Sequence, residues 1–343
     1  VAGLGGLGRE GVIRRLQQRA AAELLGAGGD APFALLDFPD YANVGDSAIW
    51  LGTTAYFRRH RGAEPAYVST SRAFSERELR AALPEGPIFI QGGGNFGDLW
   101  PAHQEFRERL LERFPDREIV QLPQSIHFSD SRRSARTARV IARHGNFRLL
   151  VRDRASYEAA RSLFDCEVGI CPDMALFLGG LERGRSPEVD VLYLMRTDKE
   201  RATATPAGEP TGRRGYTSQA ADWLTEGRLS LRLSRLLGAT RALRRGWPRR
   251  AILRGARYDA LARARLARGC RLLSAGRVVI TDRLHAHLLS LLLGIPHAVL
   301  DNSYGKLRRF LALWTGDAEG VHPFPSIEEA ERWAASVTAR SGA

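Results

Sequence analysis

The apolar run Arg277-Val-Val-Ile-Thr281 ends in Asp282, Arg283, Leu284, His285, Ala286 and His287. Arginine offers a planar, permanently charged fork for carboxylate or phosphate oxygens, and histidine exchanges a proton near neutrality. Just beyond a buried strand, the two can hold a small anion and move a proton to or from it. A lone histidine at a strand end is more often a hydrogen-bonded structural group. Arg283 and Asp282 beside it tip His285 toward chemistry. His287, two residues further along a helix, points to another face and is the weaker candidate.

Other polar segments carry ligand-binding residue types. Gly92, Gly93 and Gly94, inside Gln91-Gly-Gly-Gly-Asn-Phe-Gly97, let backbone approach a ligand closely and offer amides to an anion or a sugar oxygen, although tight packing accounts for them almost as well. Asp46, in Asn43-Val-Gly-Asp46, caps the helix it opens or handles a bound hydroxyl. Arg152, in Val151-Arg-Asp153, binds an anion or pairs with Asp153 on the surface, with Arg154 as a nearby competitor. Asp173 and Asp282 follow apolar strands and bind a hydroxyl or cap the next helix. Lysine is rare, only Lys199 and Lys306, so Lys306 stands out. No spacing of His, Asp or Glu calls for a metal.

The elements that position these residues are α/β in character. Apolar strands at Ala34-Leu-Leu-Asp37, Pro87-Ile-Phe-Ile-Gln91, Glu118-Ile-Val-Gln-Leu122, 147–152 and 167–170 each lead into a polar loop. Helical stretches such as 47–59 and 155–163 lie between them, which predicts a parallel sheet covered on both faces. A second series opens at Val189-Asp-Val-Leu-Tyr-Leu194 and continues through 277–281, a helix from Ala286, and Pro296-His-Ala-Val-Leu300. With 343 residues, two domains follow: 1–182, 183–315 and a helical tail over 316–343, the boundary falling in the glycine-rich stretch 179–188. Open α/β sheets bind ligands beyond the carboxyl ends of their strands, where each polar loop sits. Gly3-Leu-Gly-Gly-Leu-Gly8 has dinucleotide-loop spacing but too few residues before it for the required strand. Residues 197–215 read as a loop, and 228–237 and 258–273 as basic amphipathic helices.

Taken in order, Asn43-Val-Gly-Asp46, Gln91-Gly-Gly-Gly-Asn-Phe-Gly97, Gln121-Leu-Pro-Gln-Ser125, Val151-Arg-Asp153, Pro172-Asp173, Thr281-Asp-Arg-Leu-His285 and Gly294-Ile-Pro296 resemble the polysaccharide pyruvyl transferase family. The resemblance implies a GT-B-like fold of two Rossmann-like domains facing a cleft. It implies phosphoenolpyruvate as donor substrate, no further cofactor, and a pyruvate ketal formed on a sugar of a cell-surface or exopolysaccharide precursor, with a lipid-linked saccharide as acceptor. On it, His285 is the expected acid, with Arg152, Arg283 and Lys306 as phosphoenolpyruvate ligands. Asp46 is expected to orient or deprotonate an acceptor hydroxyl, and Asn43, Gly93, Asn95 and Gln124 to contact the acceptor. The residue types suit the donor. Phosphate and carboxylate on one small frame need several cations, and the methylene carbon needs an acid near neutral pKa.

Charge is concentrated. Fourteen arginines face one acid, Asp259, between Arg228 and Leu272, in a chain whose net charge is +13. Such a segment (228–272) suits an anionic membrane face and a lipid-linked acceptor, or is the solvated side of ordinary helices. No apolar run reaches membrane-spanning length and no secretory signal is visible, and Cys166, Cys171 and Cys270 form no CxxC pair. A soluble protein of the reducing cytoplasm is therefore expected, peripheral at the inner membrane face. Two other functions compete: a GT-B glycosyltransferase using a nucleotide sugar, against which stands the absence of a base- and ribose-binding pattern, and a polyanion-binding protein. The basic segment has few aromatics and no nucleic-acid-binding signature, so nucleic acid is not an expected partner.

Overall fold

The structure is a computed structural model that describes residues 8–196, 215–224, 250–301 and 305–340. Among them run seven strands of one sheet: β1 (Ala34–Leu36), β2 (Tyr67–Ser69), β3 (Ile88–Ile90), β4 (Gly93–Gly97), β5 (Ile119–His127), β6 (Phe147–Val151) and β7 (Glu167–Ile170). Their order is β2-β1-β3-β5-β6-β7, with β4 also paired to β5. A second sheet holds β8 (Val189–Leu194), β9 (Ser218–Ala220), β10 (Gly276–Thr281), β11 (His297–Leu300) and β12 (Val321–Phe324), ordered β12-β11-β10-β8-β9. Every pairing in both sheets is parallel. The protein is thus α/β with parallel sheets.

Strands covered on both faces can be apolar throughout, which is why Ile88-Phe-Ile90 and Leu149-Leu-Val151 show no alternation. The alternation appears in which core each residue joins. Leu35, Phe89, Val120 and Leu150 point into one cluster, and Ala34, Leu36, Ile88, Ile90, Leu149 and Val151 into another. Helices α1 (Arg9–Glu23) and α2 (Val44–Arg61) cover the first face, and α3 (Glu76–Ala82), α4 (Pro101–Arg113) and α5 (Ser131–His144) the second, followed in the chain by α6 (Arg154–Leu163).

The first of these clusters does not stop at the first sheet. It includes Leu192, Leu194, Val279 and Val299 from the second sheet, joined through α7 (Arg250–Ser274) and α8 (Leu284–Leu293). A Cβ at Gly269 of α7 would lie 2.3 Å from Val44 Cγ1, so that glycine lets α7 and α2 approach. The two sheets therefore share one core. On its other face the second sheet packs Val191, Val278, Ile280 and Ala298 against Ala330 and Ala334 of α10 (Ile327–Arg340). Between β11 and β12 lies the short α9 (Lys306–Phe310), continued by a π-helical turn at Leu311–Thr315.

Several expectations shift. Residues 316–343 are more than a helical tail, because β12 pairs with β11 and completes the second sheet. Ser326 accepts a hydrogen bond from Glu329 N at 3.3 Å and opens α10 as its sequence suggested. The strand expected to stop at Leu122 continues to His127. Pro123 is accommodated because the register with β6 shifts between Gln121 and Gln124. The glycine segment expected as a loop is strand β4, extended along that prolonged β5. The helix foreseen at 258–273 starts earlier, at Arg250. The expected loop over 197–215, apart from Gly215, the basic helix at 228–237, and Gly3 to Leu7 lie outside the described residues. No helix among the described residues is long and apolar enough to cross a membrane.

Candidate active site

Thr281 closes β10. Its hydroxyl donates to Leu194 O at 2.7 Å and accepts from Arg283 N at 3.0 Å, tying the turn to β8. Asp282 is buried and accepts from Arg196 N at 2.7 Å, while its second oxygen has no partner among the described residues. Burial pushes its carboxyl up, against the opposing pull of Arg196 and Arg283. Arg283 is buried at the N-cap of α8, donating from Nε to Met195 O at 3.1 Å and from Nη2 to Asp222 at 3.2 Å, its guanidinium 6.0 Å from the centre of the Trp223 ring. A guanidinium beside unpaired helix-start amides is a setting for an anion.

His285 sits in the first turn of α8. Its Nε2 lies 3.3 Å from Asp173 Oδ2. The same oxygen accepts from Arg152 Nη1 at 2.6 Å, so a group from the second sheet and one from the first meet on a single buried carboxylate. Burial alone would raise the Asp173 carboxyl, but His285, Arg152 and the amide of Ala175 outweigh it and hold it well below the usual carboxylate range.

Arg152 follows β6. Its Nε donates to Ser125 Oγ at 3.0 Å, Ser125 donates to Asp153 at 2.8 Å, and Asp153 caps α6 through Ser156 N at 2.8 Å. Asp153 is thus a cap and not the surface partner of Arg152. Trp314 Nε1 donates to Arg152 O at 2.8 Å, a further tie between the halves. Arg154, the competitor, is exposed at the start of α6.

Glycines let other elements reach this point. A Cβ at Gly45 would lie 2.4 Å from His285 Nδ1, and one at Gly94 would lie 3.2 Å from Arg152 Nη2. Asn43 caps α2, accepting from Gly45 N at 3.0 Å, and its amide donates to Asp46 Oδ2 at 2.8 Å. Gly93, with φ +138°, faces Asp46, since a Cβ there would be 3.3 Å from its Oδ1. Asn43, Asp46, Gly93, Gly94, Arg152, Asp173 and His285 are therefore contiguous.

Asn95 and Gln124 are placed differently. Asn95 Oδ1 accepts from Gln124 Nε2 at 2.8 Å and Arg107 Nη2 at 3.0 Å, and Gln124 Oε1 accepts from Asn95 N at 3.1 Å. Gln124 is wholly buried with both amide atoms engaged, so it holds the β4 segment and presents nothing to a ligand. Arg107, also wholly buried, donates to Gln121 and Gln104, and burial pushes it down to about 10. Lys306 begins α9, but its side chain lies outside the described residues.

His287 is turned into the core. His297 Nδ1 faces only the carbonyl of Ile295, at 2.7 Å, so it carries the proton and His297 Nε2 accepts from His287 Nδ1, also at 2.7 Å. His287 Nε2 then accepts from the Thr315 hydroxyl at 2.9 Å, and both rings are neutral. Burial lowers both pKa values, that of His297 to about 4.

The residue that sequence reasoning undervalued is Asp173. Its only signal was the dipeptide Pro172-Asp173 after a strand, equally a cap, and it does cap the 3-10 turn Met174–Leu178 through Ala175 N. Among the described residues no group of three or more His, Cys, Asp or Glu side chains forms a metal-binding cluster.

Comparison with known proteins bears on this arrangement. The profile of the family described as Polysaccharide pyruvyl transferase matches residues 43–304, from the cap of α2 to just short of Lys306. Pyruvyl transferase 1 of Schizosaccharomyces pombe is 34% identical over 304 residues, covering 82% of this chain and 69% of its own. Putative pyruvyl transferase EpsO of Bacillus subtilis is 32% identical over 305 residues, covering 86% and 88%. A solved structure of a functionally uncharacterised Klebsiella pneumoniae protein aligns with a TM-score of 0.59 over 91% of this chain and 99% of that one, at 18% identity, a likeness of fold alone. The matched region takes in Arg152, Asp173, Arg283 and His285 together, and on this ground the chain belongs to the polysaccharide pyruvyl transferase family.

Proposed function

We propose that the chain transfers the pyruvyl group of phosphoenolpyruvate to two hydroxyls of one sugar residue, forming a cyclic ketal and releasing phosphate. The observation that carries this reading is the convergence of Arg152 and His285 on Asp173, with Arg283 at the start of the same helix as His285. Two arginines and a helix N-terminus match a donor bearing phosphate and carboxylate, and Lys306 adds a further cation nearby in the chain.

In this mechanism His285 protonates the donor's methylene carbon, C3, as an acceptor hydroxyl attacks C2. The C–C double bond thereby becomes a methyl-bearing centre. Phosphate leaves with the C2–O electron pair, and the second hydroxyl closes the ring. Asp173 keeps the imidazole oriented for that proton transfer. Asn43, Asp46, Gly93 and Asn95 form the acceptor side, Asp46 orienting a hydroxyl. An acceptor side on the first sheet, and a donor side on the second that Arg152 of the first completes, is what a GT-B-like arrangement would provide.

A saccharide carried on a lipid is the acceptor class the charge favours. The exposed arginines of 228–272, Arg257, Arg263 and Arg271 of α7 among them, suit approach to an anionic membrane surface, whereas Arg254, Arg265 and Arg268 bond within the chain.

The test follows phosphate release from phosphoenolpyruvate with and without a panel of lipid-linked and soluble saccharides. Release is expected only with a suitable acceptor, and His285→Ala is expected to abolish it while donor binding persists. Stabilisation of the protein by UDP- or GDP-sugars and not by phosphoenolpyruvate would replace this reading with nucleotide-sugar transfer.

A further inference from the structure

At the carboxyl end of β1 a second acid–histidine pair stands outside the cluster around Asp173. Asp37 is buried and is the one non-glycine among the described residues with a left-handed backbone, at φ +67°. Its Oδ2 lies 2.8 Å from Nδ1 of His103, in the first turn of α4. A carboxylate only accepts, so Nδ1 carries the proton and the lone pair of the neutral ring is on Nε2. Among the described residues Nε2 has no hydrogen-bond partner, and the His103 side chain is 21% exposed. The buried guanidinium of Arg107 lies in the field of Asp37.

The pair is linked to the acceptor side through Tyr41. The Tyr41 ring packs edge-on to His103 with centroids 6.3 Å apart, and its phenol lies in the fields of Asp46 and Asp37. Tyr41 and Trp100, which precedes α4, are both large aromatic residues left partly exposed, at 40% and 42%, the Tyr41 phenol itself being turned inward. Partly exposed aromatic residues beside a polar site suit the apolar face of a sugar. Strained backbone persists where surroundings over-determine it, and it clusters at functional sites.

We propose that His103, with its tautomer set by Asp37, is the base that takes the proton of the attacking acceptor hydroxyl. This rests on the pyruvyl-transfer reading above. The acceptor O–H bond breaks with its proton going to Nε2, the oxygen pair forms the bond to C2, and the C2–C3 π pair takes a proton from His285. The C2–O bond to phosphate then breaks, and the second hydroxyl closes the ketal as its proton leaves with phosphate. Two hydroxyl protons are lost, one is balanced by C3 and one by phosphate. His103 is the catalytic residue and Asp37 its positioning residue.

The experiment compares wild type with His103→Asn, which keeps a donor for Asp37 and removes the Nε2 lone pair, and with His103→Ala with and without added imidazole. His103→Asn is expected to lower kcat about 100-fold or more with the affinity for phosphoenolpyruvate unchanged, and imidazole is expected to raise the rate of His103→Ala. Unchanged kcat in His103→Asn, or a loss confined to acceptor KM, overturns the base role. If His103→Asn is unstable, the imidazole arm decides, and no rescue overturns it. A wild type that releases no phosphate with any saccharide overturns the donor reading itself, whereas an active wild type with a fully active His103→Asn overturns only this inference.

Discussion

Asp173 has two partners, and removing either does something different. Arg152→Ala strands a buried carboxylate, a change that commonly costs roughly 3–5 kcal/mol, with His285 remaining to offset part of it. Arg152→Lys keeps the charge and loses the fork. Urea unfolding is expected to show a large drop in stability for the alanine variant and a small one for lysine, while both bind phosphoenolpyruvate more weakly. Arg283→Ala removes a charge-assisted contact worth roughly 1.5–3 kcal/mol, so calorimetry is expected to show donor affinity falling roughly 10- to 100-fold. Unchanged affinity in both Arg283→Ala and Arg152→Lys would place the donor elsewhere. At this scale the sequence exposed Arg283 and His285 through their short spacing after a buried strand. It could not expose Asp173 as the meeting point of Arg152 and His285, because His285 and Asp173 are 112 residues apart. Nor could it show that the amide of Gln124 is spent within the protein.

The start of α2 and the whole of α8 act as units. Because a Cβ at Gly45 would overlap the His285 ring, Gly45→Ala is expected to displace that ring and depress turnover more than stability, which parallel rate and melting measurements check. His287 of α8 and His297 of β11 are neutral in the folded chain with lowered pKa values, so protonation favours the unfolded state. Their contribution is complete above the ordinary histidine pKa near 6.5 and is lost as pH falls below it, for His297 down to about 4. The slope is roughly 1.4 kcal/mol per pH unit for each ring. Chemical denaturation across that window is expected to show the decline, and a His287→Leu, His297→Leu variant a flatter profile. Most elements were legible because apolar strands and polar loops alternate so regularly. The exception is the β4–β5 region, where glycines and Pro123 read as loop, yet a register shift lets the ladder continue.

Over the whole molecule, one apolar cluster runs from the first sheet through α2, α7 and α8 into the second. Length and the glycine-rich stretch suggest a division into 1–182 and 183–315, whereas β12 carries the second sheet past 315. The shared core was not legible, since apolar helix faces do not say which sheet they cover. A single cooperative urea transition is expected for both sheets, and two well-separated transitions would show them to be energetically independent. This joined core fixes the facing loops, and with them the site where Arg152 and His285 meet. On the proposed function this site consumes phosphoenolpyruvate and modifies a sugar. The most direct measurement is mass spectrometry of saccharides incubated with the protein and phosphoenolpyruvate, alongside phosphate release. One pyruvate ketal is expected on the acceptor per phosphate released, and none with His285→Ala. Phosphate release without any saccharide, or a sugar product carrying a transferred hexose in place of pyruvate, would contradict pyruvyl transfer.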